Sequence, residues 1–306
     1  MREYIISLSK AGRRLDQVVA ELIPEYSRNQ IQHWISSGNI LVDGSRAKTK
    51  FRLHGGEKIT LQNPVIEANS EFCAEIIEFK ILFEDEQIAV INKPAGLVVH
   101  PAAGNWSGTL LNGLLNAFPE NKNLPRAGIV HRLDKDTSGL LIIAKTLESQ
   151  ISLVRQLQAR TVKREYSAIV YGTVIAANEI NQPIGRSQKN RKLMSITKTG
   201  KPAVTHVIPE ELGSGWSLIR CQLETGRTHQ IRVHLKSINH PIIGDQSYLA
   251  TKYQKGRIGT VNTINRQALH AKKLEIIHPL LDKPMQWEIE PPKDFQDTLK
   301  YLREKH

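Results

Sequence analysis

Two cysteines, Cys73 and Cys221, are all that 306 residues contain, and they stand far apart and outside any C-x-x-C pair. Neither a disulfide framework nor a thiolate zinc site is indicated, and such cysteine usage fits the cytosol. No apolar run approaches the length of about 20 residues that a membrane-spanning helix requires. The first residues, MREYIISLSKAGRR, lack the apolar core of a signal peptide, so no membrane insertion is expected. Low-complexity tracts are missing as well, and disorder is not the expectation. Neither G-x-x-x-x-G-K-S/T nor G-x-G-x-x-G occurs, which leaves nucleotide-driven and nicotinamide chemistry without support. His229 and His234 form H-x-x-x-x-H without the helix-face spacing and adjacent Glu of a zinc hydrolase, so no metal is expected.

Acidic residues are also in short supply. Forty-two Lys and Arg face 30 Asp and Glu, a formal charge of +12 that favours polyanionic partners, because neutralised phosphates release counterions. The surplus is clustered. Arg186, Lys189, Arg191, Lys192, Lys198 and Lys201 share one acid-free stretch; Lys252, Lys255, Arg257, Arg266, Lys272 and Lys273 share another. Solvated loops explain either one alone, whereas two that flank one candidate site point to phosphate contact. The length predicts two domains.

Near the N-terminus, Leu15, Val18, Val19 and Leu22 recur at helical spacing within residues 14–23. A second helix is expected from a capping box of Ser27 and Gln30 through Ile31, Trp34 and Ile35 to a stop at Gly38. Ile40 to Val42 then runs into Asp43-Gly44, a hairpin turn signal, and another short strand is expected at Lys58 to Leu61. Beyond a polar stretch with Pro64, β-rich runs at 79–93, 139–145 and 164–174 alternate with helical stretches near 108–118 and 147–160. That alternation predicts an α+β fold on a largely antiparallel sheet.

Three constellations carry candidate chemistry. In HRLDKDTSG, His131 to Gly139, a polar run is wedged between apolar segments, and Asp134 follows Arg132 closely enough for a guanidinium to hold the carboxylate ionised. Such an Asp suits nucleophilic or base work at a sugar carbon; an ordinary turn with an ion pair is the plain alternative. In LETGRTHQIRVHL, Leu223 to Leu235, a glycine turn presents Arg227 as a partner charge for Asp134, and the alternation through Ile231 and Val233 looks strand-like. Lys163-Arg164-Glu165-Tyr166 opens a strand on which Tyr166 offers a ring for stacking an extruded base, or simply fills the core.

Together with Asn92-Lys93-Pro94, Gly96, His100-Pro101, GKPAVTH, HPIIGD and RQALHA, these motifs resemble the RluA family of RNA pseudouridine synthases from about residue 13 to about 292. Arg14-Leu15-Asp16, Ser27-Arg28, Ile35 to Gly38 and Val42-Asp43-Gly44 resemble the S4 RNA-binding domain, with Asp43 where Asn is common and Glu57 where Asp is usual. That unit in front makes the chain most similar to the ribosomal large-subunit pseudouridine synthase D subgroup. The resemblance implies an S4 domain of αL type over residues 1–62, a linker at 63–75, and a catalytic domain over 76–306 whose mixed, largely antiparallel sheet is flanked by helices and loops.

It also implies isomerisation of uridine to pseudouridine in large-subunit rRNA without a cofactor. Asp134 is then the catalytic carboxylate, acting at C1′ or through a glycal, with Arg227 paired to it and Tyr166 on the uracil. Arg132 fills the space left by the flipped nucleotide, and His131 and Thr137 complete the substrate pocket. Asp136 is a rival carboxylate, better suited to a turn. Arg13, Arg14, Arg28, Lys48 and Lys50, together with Arg46, form the RNA-binding face of the S4 unit. A cytoplasmic monomer is expected. The competing reading is a ribosome assembly factor that binds RNA without catalysis.

Overall fold

The structure, a computed structural model, describes residues 2–24, 26, 28–62, 72–101, 106–249 and 263–305. Its first sheet is built from β1 (Arg2–Ile5), β2 (Ile40–Val42), β3 (Ser45–Arg46) and β4 (Lys58–Leu61), in the order β1-β4-β2-β3 and antiparallel throughout. α1 (Leu15–Leu22) and α2 (Arg28–Ser37) turn their apolar stripes inward. Leu15, Val18, Val19, Ile31, Trp34 and Ile35 close a core with Ile40 and Ile59. Both helices lie where the 3.6-residue spacing predicts them, while Ser27 of the expected capping box lies outside the described residues.

The hairpin at residues 42–45 explains the departure at Asp43. Asp43 and Gly44 take φ of 49° and 75°, the left-handed pair that a two-residue turn of this hand requires. Asp tolerates that conformation, and its Oδ1 accepts a hydrogen bond from the Lys58 amide at 2.8 Å. Glu57, the other departure, accepts from the amides of His54 and Gly55.

The second sheet comprises β5 (Lys80–Glu84), β6 (Ile88–Lys93), β7 (Ser138–Ala144), β8 (Lys163–Tyr171), β9 (Asn178–Asn181), β12 (Val204–Leu212), β13 (Trp216–Leu223), β14 (Leu269–Ile277) and β15 (Pro284–Glu288). β10 (Ile184–Arg186) and β11 (Met194–Ile196) form a separate hairpin. Its order is β5-β6-β7-β14-β8-β13-β12-β9, with β15 beside β14; only β7 and β14 run parallel, so the sheet is mixed and largely antiparallel as expected. Successive strand residues face opposite sides. Ile88, Val90, Leu140 and Ile142 therefore pack with Leu153 of α4 (Leu147–Gln158), whereas Ile91, Leu141 and Ile143 pack in the cluster that holds Leu110 and Leu114 of α3 (Leu110–Ala117). With both faces covered, every residue of β7 is buried, which is why GLLIIA reads as an unbroken apolar run.

α5 (Gln230–Ser237) and α6 (Lys293–Lys305) add Ile231, Leu235, Phe295 and Leu302 to that second cluster. The parallel contact between β7 and β14 depends on Gly139. A Cβ there would lie 2.3 Å from the Ala271 carbonyl oxygen, and φ is 118°. The loop that leads into β7, His131 to Thr137, is thereby delivered to the middle of the sheet.

Candidate active site

That loop is fastened through its backbone. The Lys93 ammonium, fully buried, donates to the carbonyls of Pro94, Leu97 and Lys135 at 2.7, 2.9 and 2.9 Å. Burial pulls its pKa down to about 7, against the attraction of Asp136 and Asp134. On the other side the Arg266 Nη1 donates to the Asp136 carbonyl at 3.1 Å, while its Nε and Nη2 are held by Asp294 of α6. Gln267 Nε2 donates to Thr137 Oγ1, and the Thr137 amide to the Asp134 carbonyl.

Asp134 projects from this loop with its side chain 15% exposed. The Arg232 Nη1 donates to its Oδ2 at 3.2 Å, and the Nε and Nη2 of the same guanidinium grip the buried Asp245 at 2.7 and 2.9 Å. The ring of Tyr248 lies 4.9 Å from the guanidinium carbon. His229 brings Nε2 to within 4.0 Å of Asp134 Oδ1. Its Nδ1 is 2.7 Å from the Tyr248 hydroxyl, which also accepts from the Met194 amide. Burial lowers the His229 pKa against the pull of Asp134, so the imidazole is neutral at neutral pH.

The guanidinium on Asp134 is thus Arg232 and not the expected Arg227. Arg227 sends its Nε to the Pro202 carbonyl at 3.0 Å and takes the side-chain oxygen of Gln230 on its amide. The cause is the conformation of residues 230–237, expected as a strand and found as α5. The apolar alternation misleads because Arg232 and His234 are buried as well. Arg232 is paired to two carboxylates; His234 is hydrogen-bonded to Thr205 and the Gln182 carbonyl. A helix buried on nearly every side carries no one-sided period. His229 and His234 consequently face different partners.

A cavity of about 840 Å³ opens over Asp134 and is lined by Arg132, His131, Thr137, Tyr166, Arg227 and Arg232 among others. Tyr166 is 6% exposed, and burial raises its hydroxyl pKa, with Arg164 opposing and Asp134 adding to the shift. His131 Nε2 accepts from the Ile142 amide at 3.2 Å, and burial lowers its pKa to about 3, so its ring is neutral. Arg132 is exposed at the rim. All six residues expected at the site from 131 to 227 therefore border one cavity, although Arg227 does so without touching Asp134.

Residues 87–237 match the family described as RNA pseudouridylate synthase, and residues 13–59 match the S4 domain. The ribosomal large subunit pseudouridine synthase D of Nitrosomonas europaea is 48% identical over 98% of this chain and 88% of that protein. The protein of the same name from Pseudomonas aeruginosa is 47% identical over 96% and 93%. The chain belongs to the RNA pseudouridylate synthase family. Human RNA pseudouridylate synthase domain containing 4 shares the fold, with a TM-score of 0.57 and 26% identity over 73% of this chain and 92% of that one.

Within this pseudouridylate synthase, three positions to which sequence reasoning gave no role surround Asp134, namely Arg232, Asp245 and Tyr248, and Arg164 of the strand that carries Tyr166 lines the cavity. Arg232 stands in the same motif as Arg227, and its reach to Asp134 emerges only because residues 230–237 are helical. Asp245 and Tyr248 come from a loop about a dozen residues further on, and only the fold brings them back. In the S4 unit, Arg14 and Arg28 both pair with the inaccessible carboxylate of Asp16, at 2.9 and 2.8 Å. Arg13 pairs with Glu21 at 2.5 Å, while Lys48 and Lys50 are exposed.

Proposed function

We propose that this enzyme converts uridine to pseudouridine in large-subunit rRNA, with Asp134 as its catalytic carboxylate. The observation that carries the reading is the placement of Asp134 on the cavity wall, oriented by Arg232, in the same cavity as the buried Tyr166. The reaction breaks the bond from N1 to C1′, turns the base and rejoins it through C5, with no net oxidation or hydrolysis. One carboxylate suffices at the sugar, either by bonding to C1′ or by taking a sugar proton, provided that the detached base is held in place. Tyr166 supplies a flat wall for the uracil, and exposed Arg132 stands at the rim where a nucleotide leaves its stack. His131 and Thr137 keep the loop in shape.

The same reading assigns residues 1–62 to RNA capture, with Lys48 and Lys50 on its free basic face and Arg13, Arg14 and Arg28 partly engaged internally. A linker within 63–75 joins it to a catalytic domain of residues 76–306, and the enzyme works as a cytoplasmic monomer. The test is tritium release from C5-labelled uridine in large-subunit rRNA transcript, comparing the unmodified protein with Asp134→Asn. Release by the first alone, with RNA binding retained by both, is the expected result. Binding without release from any transcript or assembled subunit would favour an assembly factor instead.

A further inference from the structure

Arg164 is a buried cation without a counter-ion among the described residues. Its side chain leaves β8 two residues before Tyr166, hence from the same face of the strand, and it lines the cavity with Asp134. It is 7% exposed, and among the described residues it makes no ion pair. Among the described residues, one long hydrogen bond, 3.4 Å from Nη2 to the Glu224 carbonyl, is its sole hydrogen bond, and its buried Nε has no partner. Guanidinium does not deprotonate to relieve burial, so an uncompensated charge of this kind costs stability unless a ligand completes it.

The surroundings keep room for that ligand. A Cβ on Gly226 would stand 2.9 Å from Arg164 Nη1, so the glycine between Thr225 and Arg227 leaves the guanidinium its place against the cavity wall. His131 is a second buried donor on the same cavity. Since its Nε2 accepts from the Ile142 amide, the proton of the neutral ring is on Nδ1, which has no partner either. Arg164 and His131 line the same cavity. Two donors without acceptors call for an electron-rich partner.

We propose that Arg164 is a further catalytic residue, whose guanidinium binds the uracil oxygens and stabilises the negative charge of the detached base. This rests on the reading of the enzyme given above. When the bond from C1′ to N1 breaks, its electron pair leaves on N1 and is shared with O2 and O4 of the uracil. C5 then supplies the electron pair that closes on C1′, the proton on C5 departs, and N1 ends protonated. Between those two events the base is an anion without a covalent tether, and a fixed guanidinium both holds it and lowers the barrier to its release. A phosphodiester is the weaker candidate, because exposed Arg126, Arg132 and Arg160 at the rim of the cavity are better placed for phosphates than a buried guanidinium.

The experiment measures single-turnover pseudouridine formation and RNA affinity for the unmodified protein, Arg164→Gln and Arg164→Lys, with thermal melting of each. The expected result is a rate lower by about a hundredfold in Arg164→Gln, the size seen when one donor to a developing anion is removed. RNA affinity should change less than about twofold, and Arg164→Lys should recover part of the rate. Should Arg164→Gln fail to fold, Gly226→Ala keeps the charge but displaces Nη1, and it should show the same loss of rate at unchanged affinity. An unchanged rate, or a weakened affinity whose salt slope falls by about one unit, would overturn the proposal, the latter in favour of a phosphate contact. A folded Arg164→Lys no faster than Arg164→Gln would overturn it too. Failure of the unmodified protein to form pseudouridine would instead strike at the parent reading.

Discussion

Asp245 holds the Arg232 guanidinium by two of its nitrogens, at 2.7 and 2.9 Å, and so aims the third at Asp134. The buried carboxylate acts on the reaction only through that orientation. Asp245→Asn should keep Arg232 in the site but loosen its aim, and misplacement by about an ångström can cost about a hundredfold in rate. Arg232→Lys should fare no better, because a single ammonium cannot bridge both carboxylates in the planar arrangement. The check is a kcat that falls for either variant while KM for the transcript moves little. A raised KM with normal kcat would show that the pair serves binding instead.

The clamp on the loop makes a separate prediction. Lys93→Met removes the donor from three carbonyls at once, Lys135 among them. Leaving even one such buried group unpaired costs about 1–3 kcal/mol. Arg266→Gln should release the Asp136 carbonyl and the tie to Asp294 together. Both variants should lower the melting temperature, and the fraction that stays folded should still turn over more slowly, as assayed by tritium release per folded molecule. Full activity per folded molecule would mean that the clamp serves stability alone.

A third prediction concerns pH. The Asp16 carboxyl is inaccessible; burial opposes its ionisation, yet hydrogen bonds from Arg28, Gln32 and Arg14 prevail and lower its pKa to about 2. A carboxyl with a folded pKa below its unfolded value near ~3.9 adds stability above that value. The contribution is lost as pH falls from about 4 to about 2. Asp16→Ala should therefore destabilise the S4 unit at pH 7 by about 1–2 kcal/mol, a figure reduced for the exposure of both arginines. The difference from the unmodified protein should shrink below pH 4 in denaturant titrations; a difference independent of pH would mean that packing, not charge, is at stake.

Much of this molecule was legible where a residue pattern has one cause. The stripes of α1 and α2, the Asp43-Gly44 turn and the apolar run within β7 each follow from a period or a local backbone need. Asp134 was legible too, as a carboxylate set between apolar segments. The partner of Asp134 was not, because burial of Arg232 and His234 erased the helical period of α5. Arg164 was hidden for a different reason: one position in a strand looks like any solvated arginine until the fold shows it buried with no ion pair among the described residues. Long-range partners such as Asp245 and Asp294 depend on topology, and no spacing encodes them.

The two bodies of packing predict a division of labour that can be measured. Residues 2–61 close one core among themselves, and the described residues that line the cavity with Asp134 all lie from 72 onward. Removing residues 1–62 should thus spare the chemistry and weaken capture of the transcript, leaving a slow synthase with raised KM. Lys48 and Lys50 are exposed and make no ion pair among the described residues, so the double substitution of both by Ala should mimic part of that loss. If each meets one phosphate, the slope of log affinity against log salt should fall by nearly two units, about 0.9 for each contact on a duplex. Arg14→Ala should do less for affinity and more harm to folding, since its guanidinium is tied to Asp16. Filter binding across a salt series separates these outcomes. An unchanged affinity after the deletion would move RNA capture to the basic rim of the cavity, where Arg126, Arg132 and Arg160 would have to carry it alone.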